Sequence, residues 1–140
     1  MLWCVAVHAS QPGGAAPGGR PGPPALLTPV SGAADVGREL AEGADLIDVT
    51  GLAEPAVAAI RAGHPGAPLW TGSPPAVDAD GIAAGAADSL AGVVAAAAIS
   101  TWLGAPVIRT RHVAPVRRAI DMTLSIAGRR LPALTTRGLA

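Results

Sequence analysis

The sequence predicts an α/β protein built of parallel βαβ units. Two patterns lead to this fold class: short apolar runs bounded by turn residues recur along the chain, and helical segments stand between them. A third observation is size, because 140 residues, half of them hydrophobic, suit one domain with a substantial core. Strands that alternate with helices in this way predict a parallel sheet with right-handed crossovers.

Composition limits the kinds of partner. Ten acidic residues face ten basic ones, all of them arginine, so the formal net charge is zero. No global field would draw the chain to nucleic acid or to an anionic membrane. The single cysteine, Cys4, has no intramolecular disulfide partner, and no metal-ligand spacing surrounds it. We therefore expect a cytoplasmic protein without a metal or other cofactor.

The first elements are a strand, a loop and a helix. Residues 1–10 form an apolar run too short for a signal peptide, which favours a first strand. Residues 11–24 are almost entirely Gly, Pro and Ala, which predicts a long loop. A helix is expected to begin at a Ser31 cap and to end at Gly43. The main domain is predicted to span residues 25–128.

The middle of the chain repeats the pattern. Residues 45–51, DLIDVTG, predict a buried strand, and a helix should follow over residues 53–63 with Pro55 in its first turn. Residues 67–73, APLWTGS, predict the next strand. The stretch 74–86 reads as a loop.

Residues 89–108 form the longest stretch without a charge, and two interpretations of it stay open. A membrane span is one alternative, because twenty uncharged residues are long enough to cross a bilayer. We favour a helix capped by Asp88 or Ser89 that breaks near Trp102, followed by a strand over residues 105–110, because Gly104 and Pro106 interrupt the helix.

The last helix is predicted over residues 113–128, where an apolar face recurs at helical spacing and Gly128 is the expected C-cap. Residues 129–140 are expected to form a flexible tail.

Ligand sites of parallel α/β sheets lie at the carboxyl ends of the strands. That rule assigns to one rim the candidate residues at the ends of the predicted strands: His8, Asp48, Gly51, Ser73, Arg109, Arg111 and His112. Arg109 and Arg111 are two apart, so on a strand both would point to one face and hold one phosphate between them. The alternative is that they are ordinary arginines paired with Asp48 or Asp121.

The residue pattern gives little support for a catalytic site or for a phosphate-binding loop. Asp48 would either accept from the N–H groups of a heterocycle or form a salt bridge with an arginine. His112 fits a turn better than a catalytic role, and no catalytic residue is proposed. The glycines form neither a dinucleotide-binding nor a Walker pattern, and Ser73 lacks the glycines of a nucleophile elbow.

Two segments resemble dihydropteroate synthase, the TIM-barrel transferase of folate synthesis. The first is EGADLIDVTG, residues 42–51, which is similar to the family's GADIIDVGGES strand. The second is residues 89–120, an Ala-rich helix followed by Gly104-Ala105, three further apolar residues and Arg109, in the register of a family segment that ends in RVHDV. Residues 69–75, LWTGSPP, resemble the family strand that ends in Ser-Arg-Lys.

The resemblance implies roles for individual residues. Arg109 matches the arginine that helps to bind the pterin and its pyrophosphate, and Asp48 matches the aspartate of the DVGG turn. Pro74 and Pro75 stand where the family has two cations, and Arg111 and His112 replace its His and Asp. The family's pterin-site lysine has no counterpart, because this chain contains no lysine.

The matching segments correspond to the first two and last two strands of the family, which are neighbours in a closed barrel. The resemblance therefore implies about half of a TIM barrel, with four strands and flanking helices. We expect a catalytically impaired protein that retains a weak site for pterin pyrophosphate or another small anion. Because an open half-barrel exposes unpaired strand edges, we also expect a homodimer or a partner that completes the sheet.

Three alternatives stay open from the sequence. They are a non-catalytic structural or regulatory partner subunit, a small protein anchored in a membrane through residues 89–108, and a decayed reading frame.

Overall fold

Strand alternation and helix amphipathicity divide the apolar residues of this chain between two faces of a parallel sheet. A computed structural model describes residues 22–85 and 89–130. The elements follow in chain order as β1 (Ala25–Pro29), α1 (Ala33–Ala41), β2 (Leu46–Asp48), α2 (Glu54–Gly63), β3 (Leu69–Trp70), β4 (Val77–Asp78), α3 (Ala79–Ala84), α4 (Leu90–Trp102), β5 (Val107–Arg109) and α5 (Val113–Ile126).

The five strands form one parallel sheet in the order β3-β2-β1-β5-β4. β1 is central: Pro29 pairs with Asp48 on one side, and Leu27 pairs with Arg109 on the other. The sheet thus joins an early strand to one that follows about eighty residues later in the sequence. A mixed α/β fold with a parallel sheet is confirmed.

The two faces of the sheet differ in what covers them. Leu26, Ile47 and Ile108 point to one face, where they share a single core cluster with buried residues from all five helices. Leu27, Leu46 and Val107 point to the other face, where they form a second cluster with Ala25, Trp70 and Ala76. Among the described residues, that second cluster contains no helical side chain.

The structure corrects the predicted strand set. Four strands were expected, whereas five lie within the described ranges. The predicted strand at residues 1–10 lies outside those ranges, and the central place belongs to β1, which the sequence pattern did not assign. Residues 74–86 were expected to be a loop, yet they contain β4 and α3. β4 was missed because Val77 lies between two prolines and two aspartates, so no apolar run marks it, whereas β3 lies within the run Ala67–Trp70.

The position of β3 also differs from what the resemblance implied. A match to the strand before the last would place LWTGSPP beside β5. Instead, β3 pairs with β2, and β4 takes the place beside β5. Sequence similarity over seven residues carried no information on which edge of the sheet they join.

Helix ends follow the predicted signals in part. Ser89 caps α4 by accepting a hydrogen bond from the Gly92 N–H at 3.1 Å, as expected. Gly128 follows α5 with a positive φ of 65°, also as expected. Ser31, however, does not cap α1: Gly32 holds that position, and the Ser31 hydroxyl donates to Asp35 instead.

The uncharged segment 89–108 is divided between two layers. Residues 90–102 form α4, a turn follows at Gly104, and Val107 and Ile108 are buried in the sheet. Within residues 22–85 and 89–130, no helix has the length and apolar character needed to cross a membrane.

Candidate functional site

Three charged residues end their strands at the same rim of the sheet. Asp48 is the last residue of β2, Arg109 of β5 and Asp78 of β4. Alternation places all three on the face opposite the helix layer, because Asp48 follows Leu46 by two residues and Arg109 follows Val107 by two. The parallel topology thus gathers charges that lie up to 61 residues apart in sequence.

Asp48 and Arg109, which we call the rim pair, are joined across the end of β1. Arg109 Nε donates to Asp48 Oδ2 at 2.8 Å. The other carboxylate oxygen, Oδ1, accepts from the Thr50 backbone N–H at 2.9 Å and from the Thr50 hydroxyl. Arg109 also approaches Asp78, with 3.7 Å between Nη1 and Oδ2. The salt-bridge alternative for Arg109 is therefore what the structure contains.

The rim pair stays charged although it is largely withdrawn from water. The side chain of Asp48 is 2% exposed and that of Arg109 is 33% exposed. Burial alone would raise the pKa of Asp48, but hydrogen bonds from Thr50 and Arg109 outweigh that effect, and the pKa lies below its ordinary value. The pKa of Arg109 is raised, chiefly by its hydrogen bond to Asp48. Each partner thus stabilises the ionised form of the other.

A second carboxylate holds the loop between β5 and α5. Asp80, in the first turn of α3, accepts from the Thr110 hydroxyl at 2.7 Å. It also accepts from the backbone N–H of Arg111 at 2.9 Å and from Arg111 Nε at 3.1 Å. Burial would raise the pKa of Asp80, yet the hydrogen bonds from Thr110 and Arg111 lower it overall. Arg109 and Arg111 therefore contact different carboxylates and do not share one site.

An open cleft of about 390 Å³ adjoins the carboxyl end of β1. We call it the α1 cleft, and it is lined by Thr28, Pro29, Val30, Ser31, Asp35, Arg38, Glu39 and Arg111. Glu39 is buried and accepts from Arg38 Nη2 at 2.9 Å. Arg111 lines the cleft with a side chain that is 67% exposed, and Nε is the side-chain atom that donates to Asp80.

Carboxylates outnumber arginines in and around the α1 cleft. Arg38 lies between Asp35 and Glu39, and Arg111 is matched by Asp80. Hydrogen bonds from Ser31 lower the pKa of Asp35, so this carboxylate is also ionised at neutral pH. An anion in the cleft would therefore meet guanidinium N–H donors but no surplus of positive charge, which predicts weak binding.

The remaining predicted residues lie at the same end of the sheet but contribute less. Gly51 is exposed in the turn after β2 with a φ of 81°, and Ser73 is exposed beyond β3, at the edge remote from β5. His112 precedes α5 and is half-buried; its backbone N–H donates to the Thr110 hydroxyl at 3.0 Å. His8 lies outside the described residues.

Sequence reasoning missed two buried acidic residues near the rim, Asp80 and Glu39. Asp80 follows a strand that no apolar run marks, so nothing in its neighbours indicated a rim position. Glu39 lies on α1, which was predicted from its apolar positions and its expected end signals alone. A buried acid on a helix is revealed only by what packs over it, here Thr28 of the central strand.

In the described ranges, no three His, Cys, Asp or Glu side chains are grouped so that they could hold a metal ion. Comparison of the chain with protein-family models, with curated proteins and with solved structures finds no significant match.

Proposed function

We propose that this chain is a dihydropteroate-synthase-like, pterin-binding-domain protein of the cytoplasm that keeps a weak ligand site but not the transferase reaction. The observation that carries the proposal is the rim pair. Arg109, which the resemblance assigns to pterin and pyrophosphate binding, and Asp48, which it matches to the aspartate of the DVGG turn, lie 61 residues apart in sequence and meet at 2.8 Å at the carboxyl end of the sheet.

The order of the strands supports a half-barrel within this proposal. The strands lie in the order β4, β5, β1, β2, β3 across the sheet. Every described helix packs into one cluster on the same side of that sheet. Such single winding is the arrangement of a TIM barrel, in which the last strand also lies beside the first. β5 and β1 would then correspond to the last and first strands of the family, and β4 to the strand before the last.

The loss of catalysis follows from the charges. Release of pyrophosphate requires cations that neutralise the leaving group in the transition state. The chain has no lysine, and both arginines of the predicted site are already matched by carboxylates. We therefore propose binding without turnover.

Arg111 is the contact residue in this proposal, and Arg109 is a positioning residue. Arg109 is held by Asp48, which is buried and accepts hydrogen bonds through both carboxylate oxygens, whereas the exposed side chain of Arg111 donates to Asp80 through Nε and could approach a phosphate. The α1 cleft provides the space for the anion beside Arg111.

Isothermal titration calorimetry of the full chain with 6-hydroxymethylpterin pyrophosphate, with pyrophosphate alone and with the unphosphorylated pterin tests the proposal. We expect measurable heat with both phosphorylated ligands and at least tenfold weaker binding by Arg111→Ala, which corresponds to about 1.4 kcal/mol. Arg61→Ala is the matched control, because Arg61 is an exposed arginine that pairs with Glu54 on α2. Absence of heat in the parent with every ligand would exclude the proposed site.

A second candidate is a non-catalytic partner subunit. The observation that favours it is the large apolar surface left exposed on α4 and α5. A partner that completes the sheet remains a proposal too, although β3 and β4 are edge strands of two residues and offer little backbone for pairing. If calorimetry detects no ligand binding but the chain associates through this helical surface, the result favours a non-catalytic partner subunit.

A further inference from the structure

The side of the sheet that carries the second cluster, which we call the second face, is covered differently from the helix side. Among the described residues, the apolar side chains packed against the second cluster belong to Ala25, Trp70 and Ala76, and none of them is helical. Ala25 and Ala76 each contribute only a methyl group. Parallel sheets normally carry a layer of structure on both faces, because both faces are apolar.

The connection between β3 and β4 crosses the second face. These two strands follow each other in the chain but lie at opposite edges of the sheet. Trp70 and Ala76, at the two ends of the connection, both pack against the second cluster, so residues 71–76 pass over this side. The Trp70 indole N–H donates to the Pro74 carbonyl at 3.1 Å and holds the beginning of the crossing in place.

Residues 71–76 are too narrow to cover the second face alone. Five strands form a sheet about 19 Å wide, whereas one extended chain covers a strip about 5 Å wide. The three strand residues of the second cluster are nevertheless at most 6% exposed: Leu27, Leu46 and Val107. Burial of this extent across the sheet requires a further apolar segment.

The N-terminal end of the chain has the composition and the length for this role. Residues 2–7, LWCVAV, are apolar, and Arg20 carries the only charged side chain among residues 1–21. The described chain begins at residue 22, directly before the central strand β1. A Gly-rich chain of the length of residues 8–21 spans about 20 Å on average, which is enough to return across the sheet.

We propose that the second face is the docking surface for the chain's own N-terminal segment, residues 2–7. The segment removes its apolar side chains from water and completes the cover that residues 71–76 begin. Docking is intramolecular, so the segment is present at a high effective concentration and needs no second molecule. The proposal is independent of the ligand site under the proposed function.

Other occupants fit the second face less well. The sheet of a second copy would pack about 10 Å from the strands and would have to displace residues 71–76, which already cross this face. Residues 131–140 of the same chain start from the helix side, because α5 packs its buried side chains into the core cluster on that side. The N-terminal segment, in contrast, starts from the sheet itself.

The reactivity of thiols in the N-terminal segment toward the disulfide reagent DTNB tests the proposal, because exchange requires access to the thiol. Cys4 of the full chain is one probe, and Val5→Cys in a Cys4→Ser background is the other, so that neighbouring positions sample both sides of the segment. Gln11→Cys in the same background is the matched control in the Gly/Pro-rich stretch. We expect at least one probe to react more slowly than the control by on the order of tenfold or more.

Substitutions elsewhere in the chain identify where the segment lies. Ala76→Glu places a charge at a partly buried position on the second face and should release the protected thiol. Ile82→Glu places the same charge at an exposed position on α3, in the helix layer, and should leave the thiol protected. Circular dichroism identifies the variants that fold.

Methyl NMR of the full chain provides a second measurement that leaves the sheet unchanged. Val5→Glu places a charge within the N-terminal segment and should release it from the second face. We expect the methyl signals of Leu27 and Leu46 to shift, whereas those of Val116, which is buried in the cluster on the helix side, should stay in place.

Equal reactivity of both probes and the control overturns the proposal. Protection that persists in a folded Ala76→Glu variant, or NMR shifts confined to the helix side in Val5→Glu, places the segment elsewhere and also overturns it. If protection is lost on dilution from about 100 µM to about 1 µM, a second copy supplies the cover, and the proposal fails. None of these outcomes depends on ligand binding.

Discussion

Asp48 keeps its charge in a nearly water-free position because three donor groups surround it. Thr50 supplies a backbone N–H and a hydroxyl, and Arg109 supplies the countercharge. Removal of one member of such a buried pair costs more than the pair contributes, because the other charge remains desolvated. The rim pair is therefore a structural feature whether or not a ligand binds near it.

Asp48→Asn should destabilise the protein by about 1–3 kcal/mol at neutral pH, because Arg109 then loses its countercharge. Urea denaturation followed by circular dichroism measures the change in the free energy of unfolding. Glu54→Gln is the control, since Glu54 is an exposed acid paired with Arg61 on the surface of α2, and its loss should cost less than about 1 kcal/mol. Equal costs for the two variants would contradict the importance of the rim pair.

The lowered pKa of Asp48 also predicts how stability depends on pH. The folded pKa lies below the unfolded value of about 3.9, so between the two the unfolded state binds more protons. The contribution of Asp48 is complete above the unfolded pKa and is lost as pH falls through the folded pKa. Urea denaturation between pH 7 and pH 2 should show a smaller acid loss in Asp48→Asn than in the parent. Asp80 and Asp35, whose pKa values are also lowered, account for part of the remaining loss.

At the scale of elements, α1, α4 and α5 each end in the same hydrogen-bonded turn. After α1, the Gly43 N–H donates to the Leu40 carbonyl, and the Ala44 N–H donates to the Glu39 carbonyl. This pattern requires a positive φ at the glycine, which is 106° at Gly43. Gly43 also offers its carbonyl to Arg117, at 2.7 Å from Nη2, so the turn fixes α5 against the start of β2.

Gly43→Ala should cost about 1–2 kcal/mol, because an L-residue is strained at this φ. The added Cβ would lie 3.3 Å from Arg117 Cγ, so the Arg117 side chain must also shift. Gly63→Ala is the matched control: it ends α2 without a positive φ or a close neighbour, so alanine should be neutral or stabilising there. Thermal unfolding of both variants distinguishes backbone strain from a general effect of glycine replacement.

The buried side chains of α5 predict how much its inner face contributes to the free energy of unfolding. Ile120 is fully buried in the main cluster, so Ile120→Ala should cost about 2–4 kcal/mol through lost burial and the cavity left behind. Ile82→Ala removes the same atoms from a half-exposed position on α3 and should cost less than about 1 kcal/mol. A similar loss at both positions in urea denaturation would contradict the packing of α5 onto the sheet.

At the scale of the whole molecule, β1 organises the fold. It has a paired strand on each side, whereas β3 and β4 are short edges with one neighbour each. Hydrogen exchange followed by NMR should therefore find the slowest strand amides at Leu27 and Thr28, and faster exchange at Trp70 and Asp78. Exchange at β1 as fast as at the edges would contradict the strand order.

The sequence alone predicted the fold class, four of the five helices and three of the strands. Apolar periodicity, glycines and Ser89 are local signals, and they report local structure. The same signals identified Asp48 and Arg109 as candidate site residues, because charged residues that directly follow apolar strands must lie at the rim of the sheet or pair with another polar group.

Only the tertiary structure decided which segments are neighbours. The central role of β1, the short strand β4 and the place of β3 at the far edge depend on pairing between segments that are distant in sequence. The same holds for the partners of the charges: Arg109 meets Asp48, and Arg111 meets Asp80, which no spacing indicated. The physical reason is that hydrogen bonds and apolar packing depend on distances in space and not on distances in sequence. Whether an arginine is paired with a carboxylate or can bind a ligand therefore depends on the tertiary structure as well as on composition.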